Sequence, residues 1–141
     1  MSASTPPVVE VVAALLTDSA GRLVLVRKRG TTRFMQAGGK PEPGESPREA
    51  LVRELAEELE FRPALEQLEH LGRFETDAAN EPGHLVRAEV FRLRTDADLR
   101  PAAEIEELLR VSPAEASALG ERLAPLARLL LAELDPLEVA S

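Results

Sequence analysis

The sequence predicts an α/β domain with strands and helices interleaved along the chain. Three observations predict it. Val8 to Leu16 and Arg22 to Arg27 are apolar, largely β-branched runs separated by turn residues, the pattern of a strand hairpin. Pro47 to Leu59 repeats its apolar residues at the helical period behind a strong start signal. The second half then returns to strand pattern at His84 to Arg94 and closes on a helix spanning Pro125 to Leu134. With 141 residues, 44% of them hydrophobic, the chain has the size of one domain and can bury a core.

Residues 1–7, Met-Ser-Ala-Ser-Thr-Pro-Pro, lack the basic and apolar regions of a signal peptide. They read as a disordered lead-in to a single domain over 8–141, in a cytoplasmic protein. Asp18-Ser19-Ala20-Gly21 supplies the hairpin turn. Gly30 to Arg33 is a loop, and Phe34-Met35-Gln36-Ala37 is a short segment leading into a glycine-rich stretch. After the helix, Pro63 breaks the chain, and Leu65 to Thr76 reads as a long strand whose opening also has helical period. Asp77 to Gly83 is turn-rich. His84 to Arg94 places Val86, Ala88, Val90, Phe91 and Leu93 at apolar positions. Thr95 to Ala103 is loop, and Glu104 to Val111 is an acidic late strand. Ser112-Pro113-Ala114-Glu115 is a capping box opening a short helix that Gly120 ends. In the last helix Leu123, Leu126, Ala127, Leu130, Leu131 and Leu134 line one face, a core-packing pattern.

The chain is organised around Gly38 to Phe61. Gly38, Gly39 and Gly44 let the main chain come close to a ligand, while Pro41 and Pro43 stiffen the loop between them. Ser46, Pro47 and Glu49 form an N-cap, a first-turn proline and a capping box. On the helix, Leu51, Val52, Leu55 and Leu59 make an apolar stripe. Glu54, Glu57 and Glu58 stand at i, i+3 and i+4 on another face, with small Ala50 one turn before them. Like charges at that spacing repel by about 0.2–0.5 kcal/mol per pair. A divalent cation with hard-oxygen preference, magnesium or manganese, would remove that repulsion.

This stretch resembles the Nudix box, Gly-x5-Glu-x7-Arg-Glu-U-x-Glu-Glu-x-Gly-U, with U a bulky aliphatic residue. Gly39 opens it, Glu45 follows, and Arg53-Glu54-Leu55-Ala56-Glu57-Glu58 falls in register. Phe61 closes it. Glu60 stands where the family has a glycine that ends the helix in a left-handed turn, so a different helix end is expected. The resemblance implies the Nudix αβα sandwich, a mixed β-sheet between helices. It implies Mg2+ or Mn2+ held by Glu54, Glu57, Glu58 and the Gly38 carbonyl. Arg53 would hold Glu45 or Glu54 by ion pairing. The general base is left among Glu54, Glu104 and Glu107, with Glu107 chosen among the late residues. The implied reaction is hydrolysis of a nucleoside diphosphate linked to another group. Small size and Ala37-Gly38-Gly39-Lys40, which is similar to the MutT branch, lean toward a (d)NTP pyrophosphohydrolase. ADP-ribose or another dinucleotide is the alternative substrate. A non-catalytic nucleotide-binding sensor is the alternative of another class, although its usual mark, a missing metal glutamate, is not found.

Composition sets further bounds. Without cysteine there is neither a disulfide framework nor a thiolate metal site. No run approaches a membrane span. A net charge of −8 opposes binding of nucleic acid or anionic lipid. It does not oppose a small phosphorylated substrate bridged by cations. Arg27, Lys28, Arg29, Arg33 and Lys40 cluster before and within the glycine loop, and Arg27, Arg29, Arg33 and Lys40 are the candidate phosphate contacts. His70 has no expected role, and His84 borders a loop that could face ligand. A homodimer is the possible assembly, frequent in the family.

Overall fold

The first strand, β1 (Val8–Thr17), is the axis of the sheet. In a computed structural model, which describes residues 6–78 and 82–133, it pairs along its whole length with β5 (Leu85–Arg94) in parallel, from Val8 opposite Leu85 to Thr17 opposite Arg94. β4 (Glu69–Asp77) flanks β5 antiparallel, and β6 (Ile105–Val111) pairs antiparallel with β2 (Leu23–Lys28). The order is β4-β5-β1-β2-β6, a mixed sheet. The six residues Val12 to Thr17 are buried without a break. This follows from a strand covered on both faces: successive side chains point to opposite sides, and here both sides are core.

Val12, Ala14 and Leu16 face one cluster, with Val24, Val26, Phe91 and the buried stripe of helix α1 (Pro47–Leu59). Ala13 and Leu15 face the other, with Phe34, Val90 and helix α3 (Pro125–Leu131). The expected αβα layering is therefore present. Leu51, Leu55 and Leu59 are fully buried. Each contributes about 1.5–3 kcal/mol of transfer free energy. Helix α1 starts as expected: Ser46 accepts from the Glu49 backbone, and the Glu49 carboxylate accepts from the Ser46 N–H. Ser112 and Glu115 repeat the box for α2 (Pro113–Ser117).

Strands β1 and β2 touch only at Thr17 opposite Leu23, then part. The segment 34–39 fills the opening. Met35 and Val26 exchange two 2.8 Å backbone bonds, Ala14 donates to the Ala37 carbonyl, and the two residues of β3 (Gly38–Gly39) pair with Ala13 and Val12. A split sheet thus delivers the glycine loop to the first turns of α1.

Several expectations need correction. Leu65–Gln67 is a turn of 3-10 helix and the strand begins only at Glu69, so the helical period seen there was the truer signal. Glu60, without the family's glycine, still ends α1 in the left-handed conformation (φ 53°, ψ 42°). Tertiary contacts hold it there: the Leu59 carbonyl accepts from Arg100 N at 3.1 Å and the Glu58 carbonyl from Ala102 N at 2.9 Å. Gly120 opens a second 3-10 turn, Gly120–Arg122, after α2 has stopped at Ser117. The final helix is seen to Leu131, and Leu134 lies outside the described residues, as do Asn80 and Glu81 of the turn-rich loop and residues 1–5. No helix among the described residues is long and apolar enough to cross a membrane.

The hairpin turn is held by Asp18, whose side chain is almost fully buried. It accepts from Ala20 N, Arg22 N and Arg22 Nε at 2.9–3.0 Å, and Arg110 reaches within 3.8 Å. Burial raises the Asp18 pKa, but these donors outweigh it and hold it below the usual aspartate value of 3.8. The stability it contributes is thus fully present above that value and lost as pH falls through the lowered pKa. Asp18→Ala is expected to cost about 1–3 kcal/mol by stranding buried donors. Asp18→Asn is expected to flatten the acid limb of stability against pH, both read by thermal unfolding.

Candidate active site

Arg53 joins the two halves of the glycine-helix stretch. From α1 its guanidinium forks onto Glu45, Nε to Oε2 at 2.7 Å and Nη2 to Oε1 at 3.0 Å. Nη2 also donates to the Lys40 carbonyl at 3.1 Å, which ties the loop to the helix. Nη1 donates to Glu54 at 2.8 Å and stands 3.4 Å from Glu57. Bidentate charge-assisted bonds of this kind fix geometry as well as lower energy. Hydrogen bonding to Glu45 chiefly keeps the guanidinium charged, and the same bond, with the Glu42 N–H, holds the Glu45 carboxyl below its usual range.

Glu58 is the unusual member. It is 2% exposed, one oxygen accepts from Gly38 N at 3.0 Å, and the other, Oε2, is buried with no partner. Burial pushes its pKa up to about 8 against the opposing Gly38 N–H, and the charge of Glu54 adds to the rise. Burial also raises Glu54, opposed by Arg53. Glu57 is half exposed. Among the described residues, no three His, Cys, Asp or Glu side chains are gathered as a ready metal cage, and Glu54 and Glu57 both stand against Arg53.

The glycines matter here for space. A Cβ on Gly39 would lie 2.5 Å from the Glu54 carboxylate, and one on Gly38 would lie 2.0 Å from the Val12 carbonyl oxygen. The donor set fits a hard divalent cation: two carboxylates with raised pKa values, one buried oxygen unpartnered, beside backbone that only glycine can supply. Glu54 and Glu58 carry that fit, with Glu57 adjoining on the solvent side.

A cleft of about 370 Å3 opens beside these residues. Its polar end is bordered by Lys28, Gly38, Gly39, Lys40, Arg53, Glu54 and Glu104. Its other walls are Val9, Val11, Val86, Pro125 and Leu126, with Gln36 and Asp77 among them. Of the cluster Arg27, Lys28, Arg29, Arg33 and Lys40, only Lys28 and Lys40 border the cleft, and of the four chosen phosphate contacts only Lys40 does. Arg27 is spent on Glu107 at 3.1 Å and the Thr31 carbonyl at 2.8 Å. Arg29 pairs with Glu106 and the Ala103 carbonyl, and Arg33 is on the adjoining loop outside the walls. Lys28, next to Arg27, does border the cleft, 3.3 Å from Glu104. Neighbours on a strand point to opposite faces, a signal that could have separated the two. Glu104, in the turn before β6, borders the cleft, whereas Glu107 stands opposite Arg27 across the β2–β6 pair and away from the cleft walls. Gln36 carried no signal in the sequence beyond its place two residues after Phe34. His70 lies on β4 against the Phe91 ring and pairs with Glu89, while His84 Nδ1 is 3.2 Å from the Pro82 carbonyl.

The family model for the NUDIX domain matches residues 7–134. The Escherichia coli ORF135 protein is 32% identical, with 89% of this chain and 86% of that one covered and a TM-score of 0.67. A MutT protein from Methanosarcina mazei Go1 is 24% identical over 93% and 94% of the two chains, with a TM-score of 0.72. A bifunctional NMN adenylyltransferase/ADP ribose pyrophosphatase from Francisella tularensis, solved with AMP and a manganese ion, is 18% identical. There the match covers 93% of this chain and 43% of that one, with a TM-score of 0.68. No curated protein matches the chain.

If Glu58 Oε2 awaits a cation, manganese should raise the thermal unfolding temperature of the protein. At a concentration about a hundred times Kd the gain is about 2.7 kcal/mol. Glu58→Gln is expected to lose most of that shift while unfolding no earlier than wild type without metal. An equal shift in both proteins rejects the assignment.

Proposed function

The chain belongs to the Nudix family, and from that premise we propose that this pyrophosphohydrolase acts on a nucleoside triphosphate with a divalent cation, releasing the monophosphate and pyrophosphate. The observation that carries the proposal is Glu54 at the polar end of a cleft with mostly apolar other walls, with buried Glu58 behind it on Gly38 N. Such a cleft suits a ligand with a charged end and a flat, less polar end.

Bound magnesium or manganese would supply charge for the phosphate oxygens and a more acidic water. The protein's own groups account for the remaining roles. Glu54 borders the cleft, its pKa is raised by burial, and it takes the proton from attacking water in this reading. Arg53 keeps Glu54 oriented through the 2.8 Å bond to Oε1. Lys28 and Lys40 offer positive charge to the phosphate chain in a protein of net charge −8. Glu104, facing the same space, is the second candidate base. Glu107 loses that role in this reading because Arg27 holds it elsewhere. The mostly apolar walls, with Gln36 and Asp77 among them, receive the flat end of the ligand and leave the anhydride at the polar end.

ADP-ribose is the second reading, supported by the likeness to part of the bifunctional NMN adenylyltransferase/ADP ribose pyrophosphatase from Francisella tularensis. Phosphate analysis of a panel of nucleoside triphosphates, ADP-ribose and dinucleotides with magnesium separates the two readings. Turnover of triphosphates to monophosphate and pyrophosphate is the expected result. Turnover of ADP-ribose alone selects the second reading, and tight binding with no turnover identifies a sensor. Glu54→Gln is expected to lower kcat by about a hundredfold or more, within the range of general-base losses, without a fall in unfolding temperature.

A further inference from the structure

Gln36 is an amide where an apolar residue would be expected. It is 7% exposed, its Oε1 is buried with no hydrogen-bond partner, and it borders the cleft. Phe34, two residues earlier, packs in the core cluster under α3 with Leu123 and Ala127. Residues two apart on an extended segment share a face, so Gln36 belongs to the α3 side, beside Ala124 and Leu126 in the cleft wall. The backbone around it is fixed on both flanks by the Met35–Val26 bonds and the Ala37–Ala14 bond. The amide is thus held on a rigid element.

A buried carbonyl oxygen without a donor costs stability, and polar groups of this kind are retained where something else pairs with them. The neighbouring lining residues Val9, Val11, Ala124, Pro125 and Leu126 have no side-chain donor to offer it. A ligand seated in the cleft would supply the missing donor. A glutamine amide presents an acceptor beside a donor, the pattern that pairs in two places with the edge of a nucleobase. Flat aliphatic walls supply the faces that an aromatic stack would supply elsewhere; the chain has no Trp or Tyr.

We propose that Gln36 is the specificity-determining residue of the cleft, accepting a hydrogen bond at Oε1 from an N–H on the edge of the substrate's nucleobase. The proposal rests on the nucleotide reading above, but not on hydrolysis. A site built to hydrogen-bond a group discriminates strongly against the analogue lacking it, because its own polar atom is then left bare.

The test is binding, measured by calorimetry without added metal. The probes are the 5′-monophosphates of adenosine, cytidine, guanosine, uridine and purine riboside, whose base carries no N–H. The best natural base is expected to bind at least about tenfold tighter than purine riboside monophosphate. Gln36→Leu and Gln36→Met are expected to bind the two alike, and to unfold at the wild-type temperature or above, since a bare carbonyl is removed. A preference that survives both substitutions overturns the proposal. So does a wild type that ranks purine riboside monophosphate equal to the best natural base, or that binds none of the five. A purely packing role for Gln36 would lower the unfolding temperature and leave the ranking intact. Failure of the hydrolysis panel leaves this measurement untouched, so the two readings fail separately.

Discussion

The Arg53 fork is the interaction on which the site depends. One guanidinium spans the loop carboxylate Glu45, the loop carbonyl of Lys40 and the helix carboxylate Glu54. Without it, the glycine loop would be tied to α1 only near its start, by the Gly38 N–H on Glu58 beside the short β3 pairing with β1. A lysine could not make these contacts together, because an ammonium is a point donor and the fork is planar. The order of the chain makes the fork possible. Arg53 comes one full turn after Glu49 of the capping box, so the helix start and the arginine's rotation toward the loop are set by the same local signal.

The second dependence is on the split in the sheet. A closed β1–β2 ladder would leave no room for residues 34–39. Because the two strands meet only at one end, the segment bonds to both and enters the opening from the α3 side. Phe34 anchors this insertion in the core, and Gly38 and Gly39 finish it where the backbone must run against Val12 and Glu54. Cleft and carboxylate pair are consequences of that one departure from regular pairing.

Much of this was legible in the sequence. Ser46, Pro47 and Glu49 marked the helix start, the leucine period marked its buried face, and the β-branched run Val8 to Leu16 marked a strand, though not its central place in the sheet. The acidic positions could be read because helical spacing is local. What could not be read is long-range. Nothing in the residues near Arg27 says that Glu107 will stand across from it, 80 positions away, and remove both from the site. Nor does a glutamate at the third box position announce that it will be buried against Gly38 N while its neighbour Glu57 stays half exposed. Register across a sheet decides these, and register is a property of the assembled fold. Leu65–Gln67 was misread as strand because hydrophobic pattern over so few residues supports either period.

The left-handed end of α1 has a mechanical side. Glu60 is kept in that turn by bonds from Arg100 and Ala102 to the last helical carbonyls, and Ala102 in turn accepts from Ile105 N at the start of β6. Glu104 sits inside this knot. The backbone of Glu58 and the loop that carries Glu104 to Lys28 are thereby tied through consecutive main-chain bonds, so the late loop braces the helix end that bears the buried carboxylate.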